Sequence, residues 1–158
     1  MSKPESSKSP RLPPRWVIRS AWAVHRGLFR LSGGRFGLRR ATADTWGMFR
    51  LTATGRRSGE QRSVILGYFE DGPNLVTMAM NGWGAPEPAW WLNVQANPVA
   101  TVEVRGGRFE ARAHAAEGDE RDRLWERWRH YDKGLDGYAS LRPTETAVVV
   151  LEPIDTAA

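Results

Sequence analysis

The sequence contains no cysteine. That absence excludes a disulfide scaffold, a thiolate nucleophile, an iron–sulfur cluster and the usual structural zinc sites, so any redox chemistry must come from a bound cofactor. Histidine is almost as scarce: His25, His114 and His130 stand in three separate segments with no i, i+4 pair, and no metal site is expected. No apolar run approaches the roughly 18 residues that suggest a membrane-crossing helix, and no charged N-terminal segment leads into a long apolar one. A cytoplasmic location follows as the expectation. Also missing are a Gly-x-Gly-x-x-Gly fingerprint after a strand, a Walker ending and a nucleophile elbow around Ser58, which removes the Rossmann, P-loop and serine-hydrolase classes.

Acidic residues are nearly absent from the first 40 positions. Ten Lys or Arg stand there against Glu5 alone, whereas positions 41–158 carry thirteen basic residues against seventeen acidic ones. The net charge of +5 therefore belongs to an N-terminal arm. Residues 1–14, rich in Ser, Lys and Pro, read as a flexible basic tail. Residues 15–40 read as an amphipathic basic helix with its linker. From Arg15 to Leu31 the residues Val17, Ile18, Ala21, Trp22, Leu28 and Phe29 recur at helical spacing between arginines, ahead of Ser32-Gly33-Gly34. Such a helix either docks on the body of the domain or lies on an anionic membrane surface with its arginines at lipid phosphate. Specific nucleic-acid binding is not expected, because no recognition motif accompanies the basic arm.

Residues 41–158 read as one domain. Strands are expected at Met48–Thr54, Arg62–Glu70, Asn74–Met80, Val99–Arg105, Arg108–Ala115 and Thr146–Leu151, with turns at Asp71-Gly72-Pro73 and Gly106-Gly107. A short helix is expected from Pro88 through Val94, and a charged one from Gly118 through Arg129 with Asp119 as N-cap. About six mostly antiparallel strands with peripheral helices and no regular strand–helix alternation give an α+β fold built on a small barrel.

Two segments are rich enough to carry chemistry. Thr54-Gly55-Arg56-Arg57-Ser58-Gly59-Glu60-Gln61-Arg62 combines mobile backbone amides, a hydroxyl and three guanidinium forks, the donor set a phosphate or carboxylate requires; the competing reading is an exposed turn with solvated arginines. Asn81-Gly82-Trp83-Gly84-Ala85-Pro86-Glu87-Pro88-Ala89-Trp90-Trp91-Leu92-Asn93 could wall a flat aromatic ligand, although at least one of Trp90 and Trp91 is expected in the core.

The order of these segments, together with Gln95-Ala96-Asn97-Pro98 and Glu145-Thr146-Ala147-Val148-Val149-Val150-Leu151-Glu152-Pro153, resembles the deazaflavin-dependent nitroreductase family from about Phe49 to Pro153. The resemblance implies a split β-barrel that binds coenzyme F420, a 5-deazaflavin with a phosphate and glutamate tail. By that resemblance Arg56, Arg57, Ser58 and Arg62 hold the tail. Val64, Ile65, Leu66, Met80, Asn81 and Gly82 flank the ring, and Trp90 and Asn93 belong to the helix that closes the site. Trp83 and Tyr138 fall where substrate binds, Tyr138 as a proton donor or substrate contact, against the reading of a surface tyrosine. The implied activity is hydride transfer from reduced deazaflavin to a conjugated electrophile, whether quinone, enone or nitro compound. The family often has Pro-Leu-Tyr where Ile65-Leu66-Gly67 stand, and a Lys or Ser near Met80-Asn81, so the acceptor stays open among these classes. An FMN oxidoreductase of the same fold and a non-catalytic, membrane-peripheral cofactor carrier are the alternatives, and a homodimer is left open as the assembly.

Overall fold

The computed structural model describes residues 37–80, 84 and 86–155, with positions 14, 16, 17, 19, 20, 23 and 24 ahead of them. The basic tail and most of the helix expected over Arg15–Leu31 lie outside the described residues.

In strand β1, Gly47–Thr54, buried and half-buried residues alternate, so Phe49, Leu51 and Ala53 face one side while Arg50, Thr52 and Thr54 face the other. Its neighbours in sequence are β2, Gln61–Asp71, and β3, Asn74–Met78. Strands β4, Val99–Val104, and β5, Gly107–Ala115, form the expected hairpin, in which Gly106 takes φ +93°. Strand β6 is Val148–Pro153. All pairings are antiparallel, and the strands close into a barrel in the order β1-β2-β3-β6-β5-β4.

Closure creates an inside and an outside, and apolar side chains occupy both. The interior takes Phe49, Leu51, Leu66, Tyr68, Val102, Val149 and Leu151. A second cluster of Phe69, Val76, Met78, Val148 and Val150 lies outside the wall. Strand β6 supplies both, Val149 and Leu151 to one side and Val148 and Val150 to the other. That is why its sequence is a continuous apolar run where β1 alternates. Each side chain of this size buried stabilises the fold by about 1.5–3 kcal/mol.

Between Gly47 and Pro153, three helices accompany the strands among the described residues. Helix α1, Ala89–Ala96, follows Pro88 and sends Trp90, Trp91 and Val94 into the interior cluster. Helix α2, Gly118–Tyr131, covers the outer cluster with Leu124 and Trp128, one turn apart, and Trp128 meets Phe69 edge-on at 5.1 Å. The expected cap by Asp119 does not form. Glu117 is the N-cap and makes no side-chain cap bond, because Asp119 already lies within the first turn, where its charge favours the helix dipole instead. The glycine-rich stretch after α2 contains a further helix, α3, Leu135–Ala139, whose Leu135 is buried in the same outer cluster.

Candidate functional site

The loop from Gly55 to Glu60 joins β1 to β2 at one end of the barrel. The Gly55 N–H donates to Glu60 O at 2.7 Å and the Gly59 N–H donates to Gly55 O at 2.9 Å, which folds the segment into a tight turn. Gly59 sits at φ +73°, a conformation that L side chains avoid. A Cβ on Gly55 would stand 3.0 Å from Ser58 Oγ and 3.1 Å from Glu60 O, so a side chain there would crowd the turn by a few tenths of an ångström. Ser58 Oγ accepts the Glu60 N–H at 3.2 Å, which leaves its own O–H as a donor.

The three arginines have different situations. Arg56 is fixed: its backbone N–H at 3.2 Å and its Nη1 at 3.0 Å both donate to Asn93 Oδ1. Asn93 is 5% exposed on α1, so the loop is anchored to the helix that fills the barrel. Arg62 pairs with Glu60 at 2.8 Å, but both side chains are more than half exposed, and such a pair is worth at most about 1 kcal/mol. An incoming anion can displace it. Arg57 is exposed at the tip of the turn. Beside the loop a groove of about 420 Å³ runs along the outer face, lined by Thr52, Thr54, Gln61, Asn97, Thr101 and Glu110 among others. This groove had no signal in the sequence, because its hydroxyls come from facing strands.

Val64 and Leu66 pair across from Leu51 and Phe49 and share their inward face, with Leu66 packed in the interior core. Ile65 pairs with Arg50 and takes the opposite face, where it is buried. The structure therefore brings Val64 and Leu66 together and separates Ile65 from them. Met80, beyond the end of β3, is 39% exposed. Asn81, Gly82 and Trp83 lie outside the described residues. Both Trp90 and Trp91 are buried, with ring centroids 6.1 Å apart in an edge-on contact, so neither indole is an open wall. Tyr138 is half-buried on α3 and packs against the outer cluster.

The sequence reading overlooked Arg142 and Glu87. Arg142 Nη1 donates to Ala79 O at 3.0 Å and Thr146 Oγ1 at 2.8 Å, while Nη2 donates to Glu87 Oε1 at 3.0 Å. Thr144 Oγ1 donates to the same carboxylate oxygen at 3.1 Å. The only advance signal was that both residues adjoin prolines, Pro86 and Pro88 around Glu87 and Pro143 after Arg142. Among the described residues no helix is long and apolar enough to cross a membrane.

The arrangement is a rigid cationic turn, with amide and hydroxyl donors, next to a helix that fixes it from inside. It suits an acidic group on a larger ligand. The family profile described as F420H(2)-dependent quinone reductase matches residues 24–153. An F420H(2)-dependent quinone reductase of Mycobacterium tuberculosis is 29% identical over 118 residues, 71% of this chain and 78% of the relative. A solved F420-H2 dependent reductase (FDR-A) superposes with a TM-score of 0.61 at 26% identity, over 66% of this chain and 93% of its own. A chain described as a domain-swapped dimer gives a TM-score of 0.64 at 24% identity, over 87% and 98%, and shares the fold.

Proposed function

The chain belongs to the F420H(2)-dependent quinone reductase family, and from that membership we propose how its own residues serve the reaction. It is an oxidoreductase, its cofactor is coenzyme F420, and quinones are the acceptor class. FMN and a purely carrier role give way to this assignment. Enones and nitro compounds, which share the conjugated electrophilic carbon or nitrogen, are proposed as further acceptors.

The donor set fits the acidic tail of F420: an exposed Arg57, a displaceable Arg62, the Ser58 O–H and a glycine at φ +73° with nothing within 4 Å of a Cβ placed there. The observation that carries the reading is Arg56, held by two bonds on a buried asparagine, since a preorganised cation loses little freedom when it binds an anion. In this reading Arg56, Arg57, Ser58 and Arg62 bind the tail. Val64, Met80, Asn81 and Gly82 flank the ring. Ile65, Leu66 and Trp90 support it from within the wall and core, and Asn93 orients Arg56. When bound, the deazaflavin supplies a two-electron hydride donor. The protein's part is then to orient, to exclude water and to hold a proton near the acceptor oxygen, for which Tyr138, with Trp83 as substrate contact, is proposed. Residues 41–158 form the catalytic body, and residues 15–40 are proposed to place it at an anionic membrane surface on the cytoplasmic side.

The test is titration of the protein with F420 followed by fluorescence. Wild type should bind, and replacing Arg56 and Arg57 together by Ala should weaken binding by about 3 kcal/mol, roughly a hundredfold, less at high salt. Equal affinity in the double variant removes the tail assignment.

A further inference from the structure

Among the described residues Arg142 is the one charged residue that is buried, and its side chain has 0% exposure. A buried guanidinium is costly to desolvate, and a buried ion pair is weak evidence for stability; its best-attested use is to fix a geometry. The barrel does not require this one, because its six strands already close on their own hydrogen bonds. What Arg142 joins is more telling. Ala79 follows the end of β3, Glu87 stands two residues before α1, and Thr146 stands two residues before β6. On the other side, the Arg142 N–H donates to Ala139 O at 3.1 Å and the Leu141 N–H donates to Tyr138 O at 3.1 Å, so the same residue is continuous with α3.

The geometry points to Arg142 and Glu87 as a positioning pair for hydride transfer. They hold α1, which carries Asn93 and through it Arg56, at a fixed separation from α3, which carries Tyr138. A coenzyme seated by its tail then meets the acceptor-side hydroxyl in register. The inference rests on the functional reading above, in which Asn93 orients the tail-binding Arg56 and Tyr138 serves the acceptor. Neither residue of the pair touches the reactants. Both act through the elements they tie, and misplacement by about 1 Å at a reacting centre can cost about a hundredfold in rate.

Two variants test it. Glu87→Gln keeps an acceptor for Thr144 and removes the countercharge; Arg142→Lys keeps the charge and removes the fork that spans Ala79 and Glu87. Folding is followed by circular dichroism, coenzyme stoichiometry and affinity by fluorescence, and the Leu141 amide by hydrogen exchange without coenzyme. The expected result is a folded protein that binds one F420 per chain within about threefold of wild-type affinity, exchanges Leu141 at least about tenfold faster, and reduces menadione with kcat down about tenfold or more at little-changed KM. A kcat within about twofold of wild type overturns the proposal, as does unaltered Leu141 exchange, or a kcat that falls only with coenzyme stoichiometry. Failure of both variants to fold also overturns it, by assigning the pair to stability. Wild type that does not bind F420 sinks the functional reading instead, while Leu141 exchange still judges the clamp.

Discussion

Asn93 is a small residue with a large share of the site. Its one carbonyl oxygen takes two donors from Arg56, and it does so from a position that is 5% exposed. Asn93→Leu should therefore destabilise the protein by about 1–3 kcal/mol in a denaturant titration, since it strips the anchor from the loop and leaves an amide unpaired. It should also lower F420 affinity by releasing Arg56. Glu60 has the opposite sign. It neutralises Arg62 and would repel an acidic tail, so Glu60→Gln should raise F420 affinity by about two- to fivefold at low salt, with the gain vanishing as salt is added. A Glu60→Gln protein with weaker binding would show that the acid supports the turn and not the reverse.

Elements are held together by contacts of two kinds. Helix α2 is attached by Trp128, which is 4% exposed and packs between Trp46, Phe69 and Tyr131. Trp128→Ala should cost about 3–5 kcal/mol, read as a lower urea midpoint. The same helix grips the β2–β3 turn electrostatically: Arg123 donates to both oxygens of Asp71 at 2.9 Å, and Arg127 adds Asp71 Oδ1 at 3.0 Å. The hydrogen bond from Arg123 holds the Asp71 carboxyl below the ordinary carboxylate range, opposed by partial burial and helped by the charge of Arg127. A folded-state value below the unfolded one means that this stabilisation is present above about pH 4 and is lost as pH falls through the folded value. Asp71→Asn should accordingly flatten the decline in stability between about pH 5 and pH 2 while lowering the neutral-pH plateau by about 1 kcal/mol. The strands were legible in the sequence because each is written locally, by alternation in β1 and by turn residues between β2 and β3. Helix α3 was not, since five residues containing a glycine give no helical period. The Arg142 cluster was not legible for a different reason. Its partners Glu87 and Ala79 lie 55 and 63 positions away, and no pattern along a chain reports a contact made by closure of a barrel.

At the level of the molecule, the chain pairs a nearly balanced body with an arm holding ten basic residues against one acid. Quinones partition into lipid, so an arm that seeks anionic headgroups would bring the catalyst to its acceptor. Deleting residues 1–36, which spares the bridge between Arg39 and Met48, should abolish co-sedimentation with anionic liposomes and leave F420 affinity within about threefold, whereas an insoluble truncation would show that the arm is packed on the barrel. The cationic donors of the turn were legible as a class from Gly55 to Arg62. Their division into a fixed Arg56, a paired Arg62 and an exposed Arg57 was not, because it depends on where α1 presents Asn93.

The hydrogen-bonded circuit of the wall has a consequence for self-association. Because β4 returns to β1, the ring has no terminal strand, and the ladder edges left among the described residues are stretches of strands already paired on one side, such as Gln61–Tyr68 of β2, whose pairing with β3 begins only at Phe69. Strand addition by a second copy is thereby limited to such stretches within the wall. Pairing of two copies otherwise proceeds through side chains on the outer faces, or by one copy breaking its own ring and lending the freed segment to the other.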